Sequence, residues 1–175
     1  DALFDELTQL EEKTGYIRPD SPTHNAGYEA EAGNREPHEY PAPSLAKTKS
    51  IEELKKWAGD MPIWLSWKLD GLTLVLTYDG GRLVKILTRG NGTVGSYITF
   101  LQDAISGFPK EIPYKGHMVV RGEATISYTD FKLLNDTIED DDEKYANPRN
   151  LASGTLNLDD VEEVKRRHVV FYAFT

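Results

Sequence analysis

The chain has 175 residues, 39% of them hydrophobic and 28% charged, which is enough for one sizeable core or a core with an appendage. No apolar run approaches the length of a membrane span, and the absence of cysteine excludes disulfides and cysteine-based zinc modules. A formal charge of -9 and a pI of about 4.9 exclude a globally basic nucleic-acid binder, so any grip on DNA must come from a local patch or from other parts of a longer protein.

In chain order, residues 1–14, DALFDELTQLEEKT, place Leu3, Phe4, Leu7 and Leu10 on one helical stripe. Gly15 reads as the stop, and the uncapped start reads as a cut inside a longer element. Residues 16–49, rich in Pro, Gly, Ala, Ser and Asn, read as a long irregular lead-in of the kind that is often functional. Ser50-Ile51-Glu52-Glu53 has capping-box spacing and opens a short helix through about Trp57, closed by Gly59. From Pro62 the period changes. Residues 63–69 and 72–78 read as strands, Asp79-Gly80-Gly81 as a turn, and 82–88 as the hairpin partner. A short helix is expected around 99–106 and a strand over 117–126. A helix from Thr129 to Asn135 follows, with Asp130 in its first turn. Residues 139–143 read as a solvated acidic loop. A helix near 159–167 leads into a buried strand, HVVFYAF, over 168–174. There is no internal repeat. Strand-rich segments with interspersed helices argue for an α+β fold with antiparallel sheets rather than a doubly wound one. The expected division is a helix plus irregular lead-in over 1–49 and a core over 50–175.

The expected end of the first strand carries Lys68-Leu69-Asp70-Gly71, inside WLSWKLDGLTLVL. Alternation places Trp64, Ser66 and Lys68 on one face and Leu65, Trp67 and Leu69 on the other. A lysine amine must shed its proton before it can attack phosphorus, and burial with neighbouring cations favours that. Asp70 would orient the amine or hold a metal, and Gly71 would permit a sharp turn. Four residues alone fit a surface lysine and a turn equally well. The remaining motifs shift the balance. Thr88-Arg89-Gly90-Asn91-Gly92 follows the hairpin, Arg121-Gly122-Glu123 lies in a later strand, and Tyr145-Ala146-Asn147-Pro148-Arg149-Asn150 comes after the acidic loop. Arg89, Arg121 and Arg149 are candidate phosphate contacts, because guanidinium forks match phosphate oxygens. Glu123 could accept from ribose hydroxyls. Singly, each also reads as an ordinary turn charge, cross-strand ion pair or loop anchor.

In this order and spacing, the motifs resemble the adenylation domain of bacterial NAD-dependent DNA ligase. The resemblance runs from AspAlaLeuPheAspGluLeu at the start through Asp20-Ser21-Pro22-Thr23, Pro43-Ser44-Leu45, KLDG, TRGNG, VRGE and ANPRN to FYAF at 171–174. ANPRN is the most specific element, since ATP-dependent ligases and capping enzymes share KxDG but not that stretch. The resemblance implies a nucleotidyltransferase fold of antiparallel sheets flanked by helices. It implies that Lys68 attacks the α-phosphorus of NAD, supported by Asp70 with Mg2+ assisting, and that AMP stays on the lysine while nicotinamide mononucleotide leaves. Glu123 would bind the ribose, Ser44 and Leu45 would border the adenine pocket, and Phe174 would stack on the base. Arg89 and Arg149 would contact phosphates, Arg149 also near the nicked strand. The implied partners are NAD, AMP and nicked duplex DNA, with no membrane, in a cytoplasmic monomer.

The chain departs from the family pattern at several positions. Ser66 stands where the family has a glutamate facing the adenine. Asn91 replaces the aspartate of TRGDG, Gly95 to Thr99 lacks the two acids of GEDxT, and Asn157 replaces a second arginine. These changes open an alternative, a degenerate adenine-nucleotide-binding paralogue without ligase activity. An RNA ligase or capping-type enzyme is disfavoured by ANPRN and by the Asp20-Ser21-Pro22-Thr23 segment. The family's tyrosine-bearing helical region would precede residue 1, and further lysine motifs would follow residue 175. The expectation is therefore a fragment that does not seal nicks by itself and self-adenylates poorly.

Overall fold

The computed structural model describes residues 2–18, 21, 23, 34–43 and 46–174, with side chains from residue 6 onward. The elements in chain order are α1 (Ala2–Thr14), β1 (Arg35–Pro37), α2 (Ile51–Ala58), β2 (Leu72–Asp79), β3 (Arg82–Thr88), β4 (Val94–Ser96), β5 (Met118–Thr125), α3 (Tyr128–Asn135), α4 (Pro148–Thr155), α5 (Val161–Arg166) and β6 (Val170–Phe174). Four strands form one antiparallel sheet in the order β3-β2-β5-β6, and β1 and β4 form a separate two-stranded ribbon. Helices with antiparallel ladders are what the α+β expectation required.

The sheet starts from a tight hairpin. Gly80 and Gly81 both take positive φ, 59° and 84°, as a two-residue turn between twisted strands demands. One sheet face carries Leu74, Leu76, Ile86, Ala124 and Phe171 into the core. They meet Leu101, Ile105, Leu151, Leu156 and Val164 from the segments covering that face. Phe108 packs edge-on against Phe171 at 5.8 Å between ring centres.

Local signals hold where capping chemistry is explicit. The Ser50 hydroxyl accepts from the Glu53 N–H at 3.3 Å, and Gly59 closes α2 with φ 54°. The Glu53 carboxylate turns outward to the Thr48 hydroxyl at 2.5 Å instead of returning to Ser50. Asp160 caps α5 through the N–H groups of Glu162 and Glu163, so that helix starts at Val161. Residues 139–143 are exposed, with a single 3-10 turn over Asp141–Glu143.

Two expectations change, and one helix is added. Residues 63–69 are not a strand: the whole stretch 62–70 is exposed and has no strand partner among the described residues. Trp64, Leu65 and Trp67 are 99%, 87% and 93% exposed. The sequence has strand periodicity there, but a strand exists only where a neighbour takes its hydrogen bonds. The helix expected over 99–106 shrinks to a 3-10 turn, Thr99–Leu101. Ile98 and the Thr99 hydroxyl are both tied to the Ile86 backbone, and Ser106 is drawn off to Val169, which leaves no length for an α-helix. The ANPRN segment, given no element from the sequence, opens a full helix, α4. Its signals were present: Asn147 accepts from the Asn150 N–H at 2.8 Å, and Pro148 occupies the first turn.

One tertiary contact makes stability depend on pH. Asp130 meets the His168 ring at 2.9 Å and the Ser127 hydroxyl at 2.5 Å. The His168 hydrogen bond, then that of Ser127, holds the Asp130 carboxyl below its ordinary value. A depressed folded value contributes stability above the ordinary carboxylate range, and that contribution disappears as pH falls through the folded value. Asp130→Asn is therefore expected to lower stability at neutral pH, with the gap to the parent chain closing in acid, below the ordinary carboxylate range. Urea unfolding at neutral and at acid pH checks this.

Candidate functional site

Side chains alternate along a strand and paired residues share a face, so the register sorts the sheet. Opposite the core lie two rows, Thr73–Glu123–Tyr172 and Val75–Arg121–Phe174. Val75 and Leu87 are buried on this face, away from the main core cluster, and form an apolar floor. Tyr172 and Phe174, on the sheet's outer strand, are each about half exposed.

Glu123 is the centre of the arrangement. The residue is 8% exposed. One carboxylate oxygen accepts from the Gly71 N–H at 3.2 Å, and the other from the Thr73 hydroxyl at 2.9 Å. A buried carboxylate with two donors is satisfied and fixed in place. It anchors the residue that follows Lys68-Leu69-Asp70 to β5. The Thr73 carbonyl in turn accepts from the Arg89 N–H at 2.9 Å, so the TRGNG loop hangs from the same point. Gly71 was expected to permit a turn. Its backbone is not left-handed, and the glycine is needed for close approach: a Cβ there would lie 2.0 Å from the Ala124 carbonyl oxygen.

The other predicted residues fall around this knot. Asp70 projects to the surface and pairs with Arg149, in the first turn of α4, at 3.0 Å. This pair is well exposed and contributes little to stability, but it brings the ANPRN helix to the KLDG segment. Arg89 is half-buried. Lys68 and Ser66 lie on the exposed stretch 62–70, so the expectation of a buried lysine at a strand end is corrected: with no strand partner, no described residue covers it. Ser44 and Leu45 lie outside the described residues, as do Asp20 and Pro22. Ser21 and Thr23, between and after them, donate hydroxyl hydrogen bonds to Glu11 of α1. Asn157 borders a shallow groove of about 100 Å³ with Asn34, Arg35, Tyr97 and Asp159, beside the β1–β4 ribbon.

The residue-level reading missed Thr73 and Tyr172. Tyr172 follows from period two once Phe174 is placed, and Thr73 from facing Glu123 across the sheet, but the register needed to see the latter comes from pairing between distant segments. It also took Asn91 only as a lost charge. The Asn91 Oδ1 accepts from the Thr93 N–H at 3.0 Å, the Thr93 hydroxyl at 2.9 Å and the Val94 N–H at 2.9 Å. This is an Asx-type turn that an aspartate would form equally well. Asn91→Ala is expected to destabilise the chain by about 1 kcal/mol, and Asn91→Asp to be near neutral. Thermal unfolding of the two variants checks this.

A helix-flanked antiparallel sheet with a polar, arginine-bearing face over an apolar floor defines an α+β domain suited to a polar, partly flat ligand. The chain belongs to the NAD-dependent DNA ligase adenylation domain family, whose profile matches residues 34–175. It is similar to the DNA ligase of Lachnoclostridium phytofermentans, 47% identical over 175 residues covering 99% of this chain and 27% of that protein. The DNA ligase of Ruminiclostridium cellulolyticum is 46% identical over 176 residues, again covering 27% of its length. The Helicobacter pylori DNA ligase is 36% identical over 98% of this chain. The chain thus spans about a quarter of the length of these relatives. Among the described residues, no helix is long and apolar enough to cross a membrane.

Proposed function

We propose that this chain is the AMP-accepting portion of an NAD-dependent DNA ligase, with residues 50–175 contributing to a nucleotidyltransferase core and 1–49 leading into it. The observation that carries the reading is the buried Glu123, which holds the backbone next to Lys68-Leu69-Asp70 while the same face presents Arg121, Tyr172 and Phe174. The adenine of NAD or AMP stacks on Phe174, with Ser66 beside it and Ser44 and Leu45 at the border of the base. Glu123 has lone pairs left after two hydrogen bonds and takes a ribose hydroxyl. Arg89 and Arg149 bind phosphate oxygens, and Arg149 releases Asp70 as it does so.

In the first step the neutral amine of Lys68 attacks the α-phosphorus. A nitrogen–phosphorus bond forms, the bond from that phosphorus to the bridging oxygen breaks, and nicotinamide mononucleotide leaves with the electron pair. The amine proton passes to solvent or to Asp70. The AMP is then transferred to the 5′-phosphate of nicked duplex DNA by the whole enzyme. Mg2+, when bound, supplies charge neutralisation at the phosphates. Among the described residues, no group of three or more His, Asp or Glu side chains is arranged to hold a metal ion by itself. Such an ion would take one or two carboxylates and complete its shell with phosphates and water, and Asp70 is the residue that would hold it.

Calorimetry with AMP and NAD tests the pocket. Saturable binding by the chain supports the reading; none, even in a longer polypeptide, contradicts it. Ser66, Asn91 and Asn157 favour a second reading, a nucleotide-binding paralogue that no longer ligates, for which AMP binds but no covalent adduct forms.

A further inference from the structure

We infer that His38, on the lead-in segment, is the positioning residue that sets the orientation of Arg89 toward a nucleotide phosphate; this rests on the reading of Arg89 as a phosphate contact. The loop Arg89 to Val94 is a turn closed by its own hydrogen bonds, from the Gly92 N–H to the Arg89 carbonyl at 3.0 Å and from the Asn91 N–H to the Val94 carbonyl at 3.3 Å, but these do not set how the turn sits against the sheet. Gly90 and Gly92 both take positive φ, 53° and 92°, and glycine backbone is ordered only by what surrounds it. Asn91 ties the loop internally. On one side the Arg89 N–H is held by Thr73 at 2.9 Å. On the other, the His38 Nε2 lies 2.9 Å from the Arg89 carbonyl oxygen, 51 positions away in sequence.

A carbonyl only accepts, so Nε2 carries the hydrogen and donates. The His38 backbone N–H donates to Thr93 at 2.8 Å, and the Ala42 N–H donates to Gly92 at 2.8 Å. Gly95 packs against the ring so closely that a Cβ there would lie 3.0 Å from Nε2. The lead-in therefore grips the loop at three points, and only the ring reaches the peptide of Arg89 itself. The fit is specific to this ring: Nδ1 is buried and finds no partner among the described residues. A buried acceptor without a partner is unfavourable, so the site tolerates it in exchange for the Nε2 hydrogen bond. With the N–H of Arg89 held by Thr73 and its carbonyl held by His38 and by the Gly92 N–H, the Cα–Cβ bond of Arg89 leaves the loop in a set direction. Thr73 is also bonded to Glu123, so the ribose acceptor and the phosphate donor are held in one frame.

The test uses the 175-residue chain, with His38→Ala and His38→Gln, since glutamine keeps an N–H at the reach of Nε2. Amide exchange is followed at Asn91 and Gly92, with Val75 and Leu76 as internal references. His38→Ala is expected to speed exchange in the loop about tenfold without changing the references, and His38→Gln to restore most of the protection. AMP and adenosine are then titrated. His38→Ala is expected to weaken AMP about tenfold, leave adenosine unchanged, and be rescued by His38→Gln. Unchanged loop exchange, or loss that glutamine does not rescue, overturns the proposal. So does a loosened loop with an intact preference for AMP over adenosine, because the hydrogen bond would then be structural only. If the parent chain binds neither ligand, the nucleotide reading fails and takes the phosphate part of this proposal with it, while the exchange data still decide whether His38 holds Arg89.

Discussion

Gly71→Ala is expected to destabilise the chain by about 3 kcal/mol, the upper end of the usual range for overpacking. The added Cβ would lie 2.0 Å from the Ala124 carbonyl oxygen and 2.8 Å from the Thr125 methyl carbon. The first of these is sheet backbone and cannot swing aside. The start of β2 would have to move off β5, where Leu72 pairs with Ala124 and Thr73 with Glu123. That shift breaks the hydrogen bond from Gly71 to Glu123 and moves the lysine segment with it. Urea unfolding measures the loss, and AMP binding is expected to fall together with stability. An alanine variant as stable as the parent would show that the backbone contact is not as close as described.

Glu123→Ala has the second-largest expected effect and separates structure from chemistry. Removing the carboxylate leaves the Gly71 N–H and the Thr73 hydroxyl without their acceptor, a loss of about 2 kcal/mol. The same change removes the proposed ribose contact, so saturable AMP binding is expected to vanish even at temperatures where the variant is fully folded. Glu123→Gln retains an oxygen acceptor for one donor and should recover part of the stability without recovering full affinity. Circular dichroism melting beside calorimetry on the two variants checks both halves. AMP binding that survives in a folded Glu123→Ala chain would remove Glu123 from the site.

How far these features could be read from the sequence varies with the distance over which they are set. Caps and tight turns are local: Ser50, Gly59, Gly80 and Gly81 do in the structure what their chemistry announces. The hairpin of β2 and β3 was readable because its turn and both strands are contiguous. The stretch 63–69 was not, because its alternation of apolar residues records a capacity to pair, while pairing depends on a partner elsewhere. With none among the described residues, Trp64 and Trp67 stand in solvent. The motif residues Lys68, Asp70, Arg89, Glu123 and Arg149 were visible as types in an order. Their mutual geometry rests on register between segments about 50 or more positions apart, as in the bonds of Glu123 to Gly71 and of Arg149 to Asp70. The role of His38 was invisible for the same reason, since a lone histidine in a Pro-rich lead-in has no local signature.

The most direct test of the central claim is covalent. A ligase of the relatives' length carrying these 175 residues would be incubated with NAD and Mg2+, and its intact mass and proteolytic fragments would then be measured. The account predicts a mass gain of one AMP, located on Lys68 and absent from Lys68→Arg. A protein that binds AMP but gains no mass, or carries the adduct on another lysine, would contradict it.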